Sequence, residues 1–448
     1  MAQVLCLDFG TSSVRAVLRD ALDNRMVLPI GQVTPVQSID GASIPSAFCI
    51  DKDLETVRFG QHAYEAILRT NHSAYSVTSP KRWLTEPALL DQKVHPKLPV
   101  TRRNVLTGLM GYALFAASET QAWSVPDSPE KADVRVAHPV WPEAIKDAAE
   151  RALGEIVWMA VNMASAGDWG VTTAEVLCSW TNPSDPHENR PYQKFKTNTI
   201  EPIAAAVELL PNIGNERRVC MVVDVGAGTT DIGVFYQLSP DHQTAKGDRI
   251  IPAGPATSVF KAGDEIDRLL LKFMRSANPR VFDANNVRIN SEIRFQKESL
   301  FKNGQLQLAG IDLTLADLEK ATEVKAMSAE IRQGVERCLT DAFPKISTFM
   351  STTGLDFEIT VVMAGGGAEI QFLRETVGKP LMINGKEFTF RFFKPVQPKI
   401  NLHGAGYERM AVGLGGAKEE YEKIVHEHAK LLRIPGLGEP KQQVKNWK

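Results

Sequence analysis

The chain has 448 residues, enough for two or three domains with sizeable cores. Its formal net charge of −2 and pI near 6.5 give no electrostatic case for nucleic acid or an anionic membrane as the main partner. No apolar run approaches the ~20 residues of a membrane span, and Asp8 interrupts what could otherwise be a leader, so a soluble, cytoplasmic protein is expected. Five scattered cysteines, none in a Cys-x-x-Cys pair, read as small core residues in a reducing compartment.

In chain order, residues 4–9 lead into Asp8-Phe9-Gly10-Thr11-Ser12-Ser13 and residues 14–18 lead out, which is strand, tight turn, strand. Residues 36–125 hold short strands, proline-bearing turns and a helical stretch over 101–120, with Lys81 inside Ser79-Pro80-Lys81-Arg82-Trp83-Leu84. A loop at 128–133 precedes a strand at 134–137. His138-Pro139-Val140-Trp141-Pro142 then turns into a helix over 143–153, with His138 a turn residue rather than a ligand. From about 155 to 200 runs a segment with Trp158, Trp169, Trp180 and a turn-rich stretch at 181–191, long enough to be functional or to carry structure of its own.

Glu201 opens an apolar helix over 203–210. Residues 219–225 and 232–235 flank Gly226-Ala227-Gly228-Thr229-Thr230, a second strand, turn, strand. A loop and an amphipathic helix fill 254–276, with Ile266, Leu269, Leu270 and Phe273 on one face. Another helix covers 288–303. A strand and helices span 310–351, where Leu318, Ile331, Val335, Leu339 and Phe343 read as core. The strand 359–363 enters Ala364-Gly365-Gly366-Gly367-Ala368 and a helix over 369–376. A last helix lies within 404–416, before a charged, then Pro/Gly-bearing tail containing Trp447.

The two turns are one device used twice. Gly226 and Gly228 let the backbone approach an anion with N–H groups pointing into the concavity, and Asp224 sets a carboxylate beside it that can hold a divalent cation. Such a repeat suggests two similar half-domains facing one nucleotide. Strand, glycines, helix at 359–376 lets the backbone press on a sugar or base while the helix start faces phosphate.

These three segments resemble the phosphate-1, phosphate-2 and adenosine motifs of the actin, sugar-kinase and heat-shock-chaperone superfamily. Within it they are most similar to the nucleotide-binding domain of the heat shock protein 70 (DnaK-type) family. Ile44-Pro45-Ser46-Ala47-Phe48 with Phe59-Gly60-Gln61-His62-Ala63, the Lys81 segment, Glu201-Pro202-Ile203-Ala204-Ala205-Ala206 and Ala262-Gly263-Asp264-Glu265-Ile266-Asp267 follow in the family's order, over roughly residues 1–420. The resemblance implies an α/β actin-like ATPase fold, two lobes each with a ribonuclease-H-like core and a nucleotide in the cleft between them. Lobe I would take 1–218 with the inserted segment at about 155–200, lobe II 219–395, a closing helix returning to lobe I 396–425, and a flexible tail 426–448.

It further implies ATP or ADP and Mg²⁺ as cofactors. Asp8 and Asp224 would lie at the metal, largely through water. Gly10, Thr11, Ser12 and Ser13 would cradle the β-phosphate, and Gly226, Ala227, Gly228, Thr229 and Thr230 the γ-phosphate. Lys81, Glu201 and Thr229 would orient the attacking water, Asp8 and Asp224 completing the catalytic set, with Lys297, Gly365, Gly366 and Gly367 at the nucleoside. The 23-residue step from Glu201 to Asp224 agrees with the family's spacing.

The chain departs from the pattern at the base. Arg294, Glu298 and Phe301 stand where the family has other residues, Gly367 replaces a serine, and Glu369 replaces an arginine that stacks on adenine. A carboxylate offers no cation–π face, so base preference stays open. Roughly thirty residues after position 416 leave no room for the chaperones' peptide-gripping domain, so the expectation is a slow ATP-driven switch signalling to a protein partner. A nucleotide-binding scaffold, an actin-like filament protein and a small-molecule kinase remain as alternatives.

Overall fold

Strand Val4–Phe9 is apolar but for Asp8 and buried along its length, as a strand covered on both faces must be. It pairs antiparallel with Ser13–Arg19 and parallel with Val134–His138, which pairs parallel with Asn198–Ile200. Arg25–Val27 and Ser43–Pro45 both add antiparallel to Ser13–Arg19. The second sheet repeats this wiring. Arg218–Val225 pairs antiparallel with Thr230–Gln237 and parallel with Glu358–Ala364, which pairs parallel with Lys386–Phe392. Ile250–Pro252 and Thr257–Val259 both add antiparallel to Thr230–Gln237. The two strand–turn–strand segments therefore occupy equivalent places in equivalent α/β sheets. The computed structural model describes residues 3–33, 40–68, 73–126, 133–181, 198–214, 216–238, 249–308, 310–418, 421 and 424.

Each sheet has its own apolar cluster. Arg102–Glu119 and Glu143–Ala164 cover the first, and Gly263–Ala277, Pro279–Asn303 and Thr322–Thr353 the second. Between the sheets, Glu201–Leu209 packs on Tyr407–Ala417 in a third cluster that takes Cys6 and Val17 from one sheet and Cys220, Val222 and Phe235 from the other. Small residues allow this: a Cβ on Gly415 would overlap the carbonyl oxygen of Ala204. All five cysteines are buried and unpaired, and no helix among the described residues is long and apolar enough to cross a membrane.

Several boundaries move. The helix expected to stop at 153 runs on to Ala164, because Ile156, Val157, Ala160, Val161 and Met163 extend its buried stripe past Gly154. The inserted segment is tied into the first half. Val171–Thr173 joins a small antiparallel sheet beside Thr56–Phe59, and Thr181 accepts a 2.6 Å hydrogen bond from the Asn104 amide. The helix expected from 288 starts at Pro279, capped by Asn278 accepting from the Val281 N–H at 3.2 Å. The helix after the glycine run starts at Gln371 rather than 369, since residues 365–370 are spent in two successive turns, Ala368 N–H to Gly365 O and Ile370 N–H to Gly367 O. The loop expected at 128–133 (save Asp133), most of the turn-rich stretch at 181–191, the Arg294 side chain and the 426–448 tail with Trp447 lie outside the described residues.

The seam between the two central helices makes a direct prediction. Gly415→Ala forces the backbones apart and is expected to cost ~3 kcal/mol in urea denaturation. Gly406→Ala, at the cap of the same helix where the nearest atoms stand 3.9 Å away, should cost only about 0.5 kcal/mol or less.

Candidate functional site

Both turns are closed the same way. Gly10 N–H donates to the Ser13 carbonyl at 3.0 Å and Gly226 N–H to the Thr229 carbonyl at 2.9 Å. Their carbonyls are held outward. The Ser46 hydroxyl donates to Gly10 O at 2.7 Å and its N–H to Ser12 O at 3.0 Å, while Gly263 and Asp264 N–H donate to Gly226 O and Ala227 O at 3.2 and 2.7 Å. With the acceptors occupied, each turn offers donors to an anion. The turns also meet: a Cβ on Gly228 would lie 2.6 Å from Thr11 Oγ1.

A cleft of about 530 Å³ opens beside this junction. The first turn contributes Gly10, Thr11, Ser12 and Ser13, the second Gly226, Ala227 and Thr229, and the third glycine run Gly365, Gly366 and Gly367. Asp8, Asp224, Lys81, Glu201 and Lys297 complete the residues expected there. Two expected residues sit elsewhere. Thr230 is fully buried with its hydroxyl on the Lys261 carbonyl at 2.7 Å, and Gly228 walls a smaller neighbouring cavity. Gly365 adopts φ +77°, and a side chain there would collide with the Asp224 carboxylate, so glycine is what lets the third segment close over the cleft.

Charge is concentrated and little exposed. Lys81 forms a buried ion pair with Glu201. Burial pushes the Glu201 carboxyl up, and Lys81 opposes this. Burial likewise raises Asp8, against the guanidinium of Arg15 at 3.4 Å. Asp224 is raised well above the ordinary carboxylate range, by burial first and then by Glu201, Asp231 and Asp8. Burial disfavours the charged form of all three carboxyls, and a cation placed beside them offsets that cost. Asp8 and Asp224 both line the cleft, and a cation held by those two carboxylates alone would keep much of its water, which is how Mg²⁺ is usually held. The residues present fit Mg²⁺ with a polyphosphate.

Sequence reasoning passed over four contributors. Arg15 is the cross-strand partner of Asp8, and Asp231 that of Asp224, so both were readable from hairpin register. Ser46 stands inside the Ile44-to-Phe48 motif but with no role read from it, and Arg409 carried no such signal. Arg409 comes from the closing helix and pairs with Glu298 at 2.9 Å where Phe301, Ile370 and Glu369 also line the cleft. It brings a guanidinium to a wall whose expected arginine is Glu369. Lys297 is held by Asp267 at 2.6 Å and by the Gly263 carbonyl at 3.1 Å.

No family model matches the chain. It is similar to the cell shape-determining protein Mbl of Bacillus subtilis (strain 168), 24% identical over 192 residues, which is 41% of this chain and 50% of Mbl. The matched part thus spans about half of that relative's length. The similarity supports the actin-like ATPase superfamily without singling out its heat-shock-70 branch. It agrees with the α/β fold of twin sheets.

The raised carboxyls have a sign. Folded Asp224 holds its proton more tightly than unfolded Asp224, so its contribution to stability falls as pH rises from the ordinary carboxylate range through the raised value. Asp224→Asn should therefore raise the melting temperature of the ligand-free protein by roughly 2–4 °C at pH 8 and by less at pH 5. Equal shifts at both pH values would show that charge burial is not the cause.

Proposed function

We propose that the chain is an ATPase of the actin-like class that binds ATP with Mg²⁺ between its two sheets and hydrolyses it slowly. Closing on ATP and reopening with ADP makes it a switch read by a protein partner, in the manner of the heat-shock-70 nucleotide-binding domain. One observation carries this reading: the twin glycine turns touch at Gly228 and Thr11, and each follows a strand bearing a buried aspartate that lines the cleft. Two donor-lined turns face to face suit the β- and γ-phosphates of one nucleotide.

In this scheme the amides of the first turn hold the β-phosphate and those of the second the γ-phosphate. Lys81 neutralises charge at the terminal phosphate. Glu201, at the first turn of its helix and paired with Lys81, accepts a hydrogen bond from the attacking water, with the Thr229 hydroxyl beside it. Mg²⁺ at Asp8 and Asp224 would supply charge neutralisation across the phosphates. The chain's own part is positioning and electrostatics, and burial makes both stronger. At the other end of the cleft, Phe301 and Ile370 provide apolar wall and Arg409 a cation for the base.

The test is ATP turnover by the purified protein with Mg²⁺ beside Lys81→Ala. Turnover should fall ~10²-fold or more in the variant while Mg·ADP affinity changes far less. Melting with and without Mg·ADP confirms that the variant folds. No hydrolysis by either protein would make the cleft a binding site alone and the chain a nucleotide-binding scaffold, whereas equal, measurable turnover in both would remove Lys81 from the catalytic set.

The similarity to a cell shape-determining protein favours a second reading, self-assembly into actin-like filaments. It predicts that protein pellets in high-speed sedimentation with Mg·ATP and stays in the supernatant with Mg·ADP. An unchanged supernatant across nucleotides and protein concentrations removes that reading and leaves the partner-read switch.

A further inference from the structure

In the proposed scheme Lys81 meets the terminal phosphate, yet it rides on a helical turn of only six residues, Pro80–Thr85. Its partner Glu201, like Lys81 itself, precedes the second sheet in the chain. Their ion pair therefore does not register Lys81 against the second glycine turn. The residues flanking Lys81 do so. Ser79 stands at the N-cap of the short turn, where a serine hydroxyl ordinarily accepts from the turn's own N–H. It makes no such bond and donates instead to Asp264 Oδ2 at 3.2 Å. Arg82 reaches the same oxygen at 2.9 Å.

Asp264 is in turn fastened to the second glycine turn. Its N–H donates to the Ala227 carbonyl at 2.7 Å, and the Gly263 N–H donates to the Gly226 carbonyl at 3.2 Å. The Thr230 hydroxyl donates to the Lys261 carbonyl at 2.7 Å. Residues 261–264 thus hold that turn at three points. An acid in the first turn of a helix, where Asp264 stands in Gly263–Ala277, is ordinarily explained by the helix dipole alone. That role asks for no partner from the other half of the chain, whereas this carboxylate takes a donor from each side of Lys81.

We propose that Asp264 is a positioning residue that clasps the Lys81 turn to the second glycine turn, so that Lys81 is aligned with the terminal phosphate only while the two halves are closed. The kinetic consequence rests on the ATPase reading; the clasp itself does not. Arg82 is half-exposed, and an ion pair of that kind adds little to stability, so the clasp can release whenever the halves part. Its effect is on geometry, and a small displacement of a catalytic group costs far more in rate than in stability.

Turnover, affinity and amide exchange measured on the full chain test this. Asp264→Ala should lower ATP turnover ~10-fold or more, with Mg·ADP affinity and melting temperature close to those of the unsubstituted chain. Added to Lys81→Ala it should cost nothing further, because the side chain it positions is gone. Asp264→Asn keeps an acceptor for one of the two donors and should fall between. Without nucleotide, backbone amide exchange across residues 79–86 should quicken in Asp264→Ala. Unchanged turnover in that variant, or losses that add in full in the double variant, overturns the proposal. A fall in turnover matched by an equal fall in Mg·ADP affinity also overturns it, by making Asp264 a support of the second turn alone. No turnover by the unsubstituted chain, with exchange still quickened by the substitution, would count against the ATPase reading and leave the clasp standing. Unchanged exchange as well would remove both.

Discussion

Asp8, Glu201, Asp224 and Asp231 are each 7% exposed or less, and Lys81 and Arg15 are the cations that reach them. Four carboxyls gathered with little exposure are tolerable only if protons or cations make up the difference. A polyphosphate arriving alone would worsen the imbalance, whereas one arriving with a divalent cation relieves it. Nucleotide and metal are therefore bound as a unit in the proposed scheme, and Lys81, held in a short helical turn at Pro80–Thr85 against Glu201, sets where the charge balance is struck.

Duplication explains both the architecture and its asymmetry. The hairpins share their turn closure and sheet position, yet the first sets Arg15 opposite Asp8 and the second sets Asp231 opposite Asp224. Opposite charges face one another in one copy and like charges in the other. The second copy meets the cost locally, since Asp231 accepts hydrogen bonds from the Ser258 hydroxyl and from the Val140 N–H at 3.3 Å. Val140 follows a strand of the first sheet, so the extra acid of the second sheet also ties the two halves together at the junction.

Much of the fold was legible because both sheets are built on buried apolar runs ending in glycine turns, which is the strongest local signal a sequence carries. The repeated Asp-x-Gly made the duplication visible, and the grouping of Lys81, Glu201 and the third glycine run with these turns came from resemblance rather than periodicity. What stayed hidden were features set by tertiary contact. The length of Glu143–Ala164 depends on Arg102–Glu119 accepting its second half, and nothing local marks Gly154 as an interior residue. Ser46 acts through a hydroxyl on a carbonyl 36 positions away, and Arg409 reaches the cleft from a helix whose pattern reads only as core. Thr230 shows the converse error: it belongs to the turn by motif, but strand register buries it.

The contacts joining the halves differ in kind from one end to the other. At the seam of Glu201–Leu209 and Tyr407–Ala417, backbones touch through Gly415 and Ala204, and the fully buried Glu208 is bound by Arg25, by Lys418 at 2.9 Å and by the Tyr407 hydroxyl at 2.9 Å. Breaking that seam would strand a buried charge. At the cleft, the halves are joined by Arg82–Asp264 and Arg409–Glu298, pairs with one half-exposed partner each and worth ~0–1 kcal/mol. A ligand shifts a conformational equilibrium by its differential affinity for the two states and no more. With a closely packed seam on one side and, on the other, these pairs beside the Val140 and Ser79 hydrogen bonds to the second half, a ligand that engages both glycine turns has the weaker set of contacts to outweigh. In the proposed scheme the hinge therefore falls at the buried helices, and the opening and closing at the glycine turns.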